Sequence, residues 1–275
     1  MTWFVDYKLD STISVADRGL AYGDGVFETI LATPKALVQL DDHLSRLYRG
    51  LSKLGMPFSL EQKIKLKDFL ASRVRPLIHE KTVVKLIVSR GEGGRGYLAP
   101  EHCIHTVIIG ILAAPDYQYH QNKGVSLSVS PVPAGCNRYL AGIKHLNRLE
   151  NVVAKRFLSS ADFEALMLNN QQELVECIQS NVFWFWRGTL YTPALHKAGV
   201  QGTFRKAIIE QQSRHLIQVG RYFISDLLKA DEVFIANSLM GIVPVKSVAG
   251  RSFPIGSHTR KLQLLMHDKE MHGSH

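Results

Sequence analysis

The sequence predicts an α+β protein built as two mixed α/β domains. Three observations predict it. Strand-like runs occur in both halves of the 275-residue chain, helical spacings fall between them at irregular intervals, and the polar stretch Asp116 to Lys123 separates the halves. Irregular helix placement argues against a regular βαβ array. The expected division is an N-terminal α/β domain over 1–115, a linker over 116–123 and a C-terminal domain over 124–275. Two such domains meeting at a cleft would suit a cofactor.

Taken in order, Thr2 to Lys8 reads as a short strand. Gly25 to Thr33 and Ala36 to Leu40 are apolar, β-leaning runs around Pro34-Lys35 and predict a hairpin. Asp41 or Asp42 is placed to cap a helix in which Leu44, Leu47, Tyr48, Leu51 and Leu54 keep helical spacing. A second helix is expected over Leu60 to Arg73, then strands at Thr82 to Ser89 and His105 to Ala113. In the second half, Val125 to Val132 reads as a strand and Asn147 to Ser159 as a helix. Strands follow at Ala165 to Leu168, Glu173 to Cys177, Val182 to Trp186 and Thr189 to Tyr191. A helix over Thr203 to Ser213, a strand over Glu232 to Ala236 and a last helix near Ser257 to His267 complete the outline.

A content of 45% hydrophobic and 21% charged residues is ordinary for a globular chain of a size that buries a substantial core. No apolar run is long enough for a bilayer, and Met1 to Asp10 lacks the basic-then-apolar order of a signal peptide. Cys103, Cys136 and Cys177 are odd in number and lack CxxC spacing, so neither a disulfide framework nor a metal site is expected. That usage fits a reducing cytoplasm. The net charge of +9 and pI near 9.5 are spread along the chain without a nucleic-acid-binding motif. They favour attraction of a small anionic substrate over nucleic acid.

Four features carry the chemistry. Lys144 lies within Leu140 to Glu150, at the seam between an apolar, glycine-containing run and a candidate helix. A lysine in a partly apolar site loses proton affinity, and its neutral amine can form a Schiff base. Glu176 ends an apolar strand; it is either an exposed acid or a buried one that needs a cationic partner. Gly199 to Arg205 is a glycine-flanked turn opening a helix. Such a turn either only starts the helix or also holds a phosphate on its free N–H groups. Arg46, three residues after His43, is a solvated helix arginine or a second contact to that phosphate.

Together with several longer blocks, these features identify a resemblance. The blocks are Asp17-Arg18-Gly19, Tyr22 to Glu28, His43 to Leu47, Glu176 with Asn181, Gly199 to Arg205, Asp231 to Phe234 and Val243-Pro244-Val245. In this order, over almost the whole chain, they resemble the fold-type IV pyridoxal-phosphate enzymes, the family of branched-chain and D-amino acid aminotransferases. Ser89 to Tyr97 and Leu140 to Glu150 are most similar to the members that convert 4-amino-4-deoxychorismate to 4-aminobenzoate, a folate precursor, and pyruvate.

The resemblance implies a D-amino acid aminotransferase-like architecture with pyridoxal 5′-phosphate in the interdomain cleft. Lys144 would bond the cofactor's aldehyde and Glu176 its pyridine nitrogen. Arg46, the backbone at Gly202, Thr203 and Phe204, and the segment Asn237-Ser238-Leu239 would hold the phosphate. Relatives have Ile-Thr or a similar pair where Thr203-Phe204 stands here, and Phe204 can offer only its N–H. Arg95 and Arg138 are candidates for substrate carboxylates and Thr29 for a proton relay. Members are usually homodimers. The rival expectations are an aminotransferase using the same cofactor residues and, from another class, a basic nucleic-acid-binding or scaffolding protein.

Overall fold

A computed structural model describes residues 1–212 and 216–272, with side chains to 267. The chain divides into two compact units, Met1–Pro115 with Ile143–Asn147, and Asp116–Gly142 with Arg148 onward. Each is a mixed α/β layer structure.

The first unit holds β1 (Thr2–Val5), β2 (Lys8–Leu9), α1 (Arg18–Tyr22), β3 (Gly25–Ala32), α2 (Leu40–Lys53), α3 (Leu60–Phe69), β4 (Thr82–Ser89) and β5 (Thr106–Ala113). Its sheet runs β2-β1-β5-β4-β3, antiparallel throughout. The β-branched runs Val83-Val84 and Val107-Ile108-Ile109 favour a pleated, half-buried surface. Ser59 and Gln62 form a reciprocal capping box that starts α3, which continues through a π turn at Leu70–Val74. On α2, His43, Leu44, Arg46, Leu47, Gly50 and Leu51 are buried, the stripe expected of a helix laid on a sheet. Gly50 permits the close approach: a Cβ there would lie 2.9 Å from Val26 Cγ1.

The expected hairpin around Pro34-Lys35 is short. Thr33 and Ala36 exchange backbone hydrogen bonds, Leu37 bridges Ala32 in antiparallel fashion and Val38 N donates to Leu31 O, after which Gln39, in the left-handed region at φ 53°, turns the chain into α2. The cap position is therefore Gln39, with no side-chain bond. Asp41 and Asp42 sit inside the first turn, where they complement the helix dipole.

The second unit holds α4 (Gln118–Lys123), β6 (Val125–Val129), α5 (Leu149–Arg156), β7 (Glu164–Leu168), β8 (Leu174–Cys177), β9 (Asn181–Trp186), β10 (Thr189–Pro193), α6 (Thr203–Gln211), β11 (Ile217–Gly220), α7 (Ile224–Leu227), β12 (Glu232–Asn237), β13 (Gly241–Val248), β14 (Arg251–Ser252) and α8 (Ser257–His272). Ser213, the expected end of α6, lies outside the described residues. The sheet order is β11-β10-β9-β12-β13-β6-β7-β8, with β14 beside β13. One face is filled by Leu127, Leu166, Trp184, Ile235, Val243 and their neighbours. The other is filled by Phe183, Phe204, Ile208, Phe234 and Leu262.

Residues 116–123, read as a linker, instead contain α4. Its Gln121 Nε2 donates to Met240 O at 2.8 Å, which ties the helix into the second unit. Ile143–Asn147 groups with the first unit because β3 is an edge strand whose backbone groups need partners.

Candidate active site

In the first unit, the segment carrying Lys144 lies along the edge of β3. Phe27 N donates to Lys144 O at 2.8 Å and Leu146 N to Gly25 O at 2.9 Å, with Val26 and His145 bridged between them. These bonds fix the lysine's Cα, while Ile143 before it is fully buried. The amine rests 4.4 Å from the centre of the Phe27 ring. Asn147 Nδ2 donates to Gly23 O at 2.9 Å. Gly23 is left-handed at φ 63°, and a Cβ there would strike the Asn147 amide.

Side chains alternate along β3, so Phe27 and Thr29 share one face and Glu28 points to the other, toward α2. Glu28 accepts from Arg46 Nε at 2.8 Å, from Arg46 Nη2, and from His43 Nδ1 at 2.6 Å. All three side chains are buried. Burial pushes the Glu28 carboxyl up. The charge and hydrogen bonds of Arg46, with the His43 bond, outweigh it and hold the carboxyl down at about 2. Burial lowers His43 despite its bond to Glu28, with Arg46 and Lys144 adding to the decrease. The ring is then neutral at neutral pH, with its Nδ1 proton on Glu28. A guanidinium gripped on one edge by a carboxylate keeps both its charge and its direction.

Glu28 was part of a recognised block but had no assigned role. The only local signal was an acid inside the otherwise apolar run Val26 to Ala32. Lys85 was not foreseen at all. It stands directly across from Thr29 in the β3–β4 register, and its amine lies 5.8 Å from the same Phe27 ring. Thr29 is half-buried on that face. Arg95 is exposed in a loop whose Gly91, Gly93, Gly94 and Gly96 all have positive φ.

In the second unit, Glu176 is buried near the end of β8. Its Oε2 accepts from Val200 N at 2.9 Å and from Asn181 Nδ2 at 3.3 Å, and the same Asn181 nitrogen donates to Val200 O at 3.0 Å. Asn181 thus acquires a role: it ties Glu176 to the turn before α6. Gly202 is the N-cap of α6, and no side chain caps the helix. A Cβ at Gly202 would lie 2.3 Å from Asn181 Oδ1, so only glycine lets the helix start so close. The Phe204 ring is buried in the core, leaving its backbone as the only group it can offer.

Arg205, on the first turn of α6, was also unassigned. Its Nη2 donates to Pro193 O at 2.9 Å, while its Nε is buried without a hydrogen-bond partner. Burial pushes the guanidinium down to about 10, and the nearby Glu176 charge opposes this. Asn237 and Leu239 are committed to their own turn. Asn237 Oδ1 accepts from Leu239 N at 3.0 Å and Met240 N at 2.9 Å, and its Nδ2 donates to Gln179 O at 3.2 Å. Of this segment Ser238 remains the candidate phosphate donor. Arg138 is on an exposed loop.

These donors fit pyridoxal phosphate by their chemistry. A lysine amine beside an aromatic ring suits an aldehyde, and a buried carboxylate suits a pyridinium. A helix start with a glycine cap suits a phosphate. The orphaned Arg205 Nε adds a buried donor close to the carboxylate.

The model of the class IV amino-transferases matches residues 25–248. Aminodeoxychorismate lyase of Vibrio harveyi is 35% identical over 259 residues, covering 91% of this chain and 94% of that one. A Methanocaldococcus jannaschii protein provisionally named a branched-chain-amino-acid aminotransferase is 32% identical over 270 residues, 94% of this chain and 91% of its own. Among solved structures, 4-amino-4-deoxychorismate lyase of Pseudomonas aeruginosa superposes with a TM-score of 0.91 at 36% identity, covering 97% of this chain and 98% of that one. The chain belongs to the class IV amino-transferase family and is a pyridoxal-phosphate-dependent enzyme of that fold.

Proposed function

We propose that this enzyme converts 4-amino-4-deoxychorismate to 4-aminobenzoate and pyruvate. The observation that carries the reading is the similarity to aminodeoxychorismate lyase over nine-tenths of the chain. Incubation with 4-amino-4-deoxychorismate and detection of both products tests it, and absence of 4-aminobenzoate would sink it.

Pyridoxal 5′-phosphate supplies an electrophilic aldehyde carbon and a protonated pyridine that draws electrons from the substrate carbon. Lys144 would hold the aldehyde end of the cofactor. Its amine, when free, would remove the C4 proton as general base. Glu176, steadied by Asn181 and Val200 N–H, would keep the pyridine nitrogen protonated. Arg46, Ser238 and the backbone at the start of α6 are the groups that would hold the phosphate. In the overall reaction the substrate loses its C4 proton and the C–O bond to the enolpyruvyl group. The ring becomes aromatic, and the departing group takes a proton on its methylene carbon to become pyruvate.

Lys85, on the same ring as Lys144, receives a substrate carboxylate, with Thr29 opposite it. Lys85→Met keeps the alkyl contact with Phe27 but removes the charge. It should raise KM about tenfold or more, the scale of one charged hydrogen bond, with a smaller change in kcat. An unchanged KM would remove Lys85 from the site. Glu176→Gln should leave the cofactor held by Lys144 and through its phosphate, with weaker affinity for the pyridine itself, but slow proton abstraction about 100-fold, since a neutral amide does not stabilise the developing ring charge. Single-turnover rates equal to wild type would end that assignment.

The 32% identity to an aminotransferase favours a second reading, in which the same residues serve amino-group transfer. We also propose a cytoplasmic homodimer, a particle of twice the 30.8 kDa chain mass on sedimentation. Among the described residues no helix is long and apolar enough to cross a membrane.

A further inference from the structure

Glu164 is fully buried at the start of β7 and forms no salt bridge among the described residues. A buried carboxyl without an ion pair is costly, and an apolar residue would usually serve a core better. Its two oxygens face the turn joining β8 to β9. Oε1 accepts from Gln179 N at 2.9 Å, and Oε2 accepts from the Ser180 hydroxyl. The same turn is held from other sides: Asn151 Nδ2 donates to Ile178 O at 2.7 Å, and Asn237 Nδ2 to Gln179 O. Cys177 N closes it on Ser180 O at 2.8 Å. Glu176 lies just before this turn and Asn181 just after it, and the two side chains are bonded to each other.

We infer that Glu164 is a positioning residue that sets the Glu176–Asn181 pair through the Gln179-Ser180 turn. The inference rests on the proposed pairing of Glu176 with the pyridine nitrogen. An irregular turn leaves backbone donors with no ladder partner, and a buried N–H must find one. Glu164 supplies that acceptor from β7, the strand beside β8 in the same sheet. Burial pushes its carboxyl up to about 7 against the Ser180, Gln179 and Lys155 contributions, with Glu176 adding to the rise.

The test uses the full-length apoenzyme and two probes, 4′-deoxypyridoxine 5′-phosphate, which has the pyridine but no aldehyde, and inorganic phosphate. Glu164→Ala should bind the pyridine probe about tenfold more weakly, the scale of a displaced buried hydrogen bond, with phosphate affinity unchanged. Glu164→Gln, whose amide can accept from Gln179 N–H and donate to Ser180, should bind the probe within about twofold of wild type. Ser180→Ala, a milder change should the first variant fail to fold, should show an intermediate loss. Wild-type probe affinity in Glu164→Ala, an equal loss of phosphate, or a Gln variant as weak as Ala would overturn the inference. So would an unaffected Ser180→Ala beside an unfolded Glu164→Ala. Glu176→Gln run alongside separates the causes. Loss there without loss at Glu164→Ala overturns the inference alone, while loss at neither overturns the reading of Glu176 and the inference with it.

Discussion

Lys144→Ala is expected to lower turnover at least about 10⁴-fold, because in the proposed mechanism the residue would be both the cofactor's covalent anchor and the base at C4. The fold should be spared. The segment is held through its backbone and through Leu146 and Asn147, and the half-buried Lys144 amine rests on the Phe27 ring. The change in stability should stay within about 0.5 kcal/mol. Borohydride reduction followed by intact mass measurement should add cofactor mass to wild type and none to the variant. Wild-type turnover in Lys144→Ala would contradict the assignment.

Arg46→Met should destabilise even the cofactor-free protein. It strands Glu28, which is 1% exposed, without its cation, and breaking a buried pair from one side costs about 3–5 kcal/mol. The pH dependence follows from the direction of the Glu28 shift. Its carboxyl is held at about 2 against an ordinary 4.5, so the pair's stabilisation is complete above about pH 4.5 and is lost as pH falls through about 2. Without Arg46 the carboxyl rises and takes up a proton more readily. The stability gap between wild type and variant should therefore narrow as pH is lowered. Denaturant melts at neutral and acid pH measure this, and a constant gap would mean that Glu28 is not the stranded charge. Cofactor affinity should also weaken, by about 1.5–3 kcal/mol, for the lost charged hydrogen bond.

Elements whose signal is local could be read from the sequence. Val83 to Val88 and Val107 to Leu112 form strands because β-branched runs suit a pleated surface, and the spacing of Leu44, Leu47 and Leu51 sets the buried face of α2. Lys144 stands out by its seam position and Glu176 by its place at the end of an apolar strand, and the order of the blocks around them supplies the roles proposed for both. Other features depended on distant partners. Pro244 obscured β13, since proline is rare inside a sheet, yet it pairs there with Phe234. The apolar character of Ala36 to Leu40 gave no hint that Gln39 turns left-handed. The polar residues 116–123 looked like a linker because the surface they meet on β13 is remote in sequence. For the same reason Lys85 was invisible: only the β3–β4 register sets it opposite Thr29. Asn237 and Leu239 read as phosphate contacts from the block, while their hydrogen bonds close the turn that carries Ser238.

The central claim is that Lys144 and Glu176 serve a lyase. Cleavage of the C–O bond and aromatisation drain the substrate carbanion, so each cycle should return the cofactor to its aldehyde form without an amino acceptor. The decisive measurement is multiple-turnover conversion of 4-amino-4-deoxychorismate with no keto acid added, following 4-aminobenzoate, pyruvate and the cofactor's form together. Continued turnover with the two products in equal amounts and the cofactor still an aldehyde is the predicted result. An absolute need for a keto acid, or a halt after one equivalent as pyridoxamine phosphate accumulates, would contradict it and place the chain with the aminotransferases.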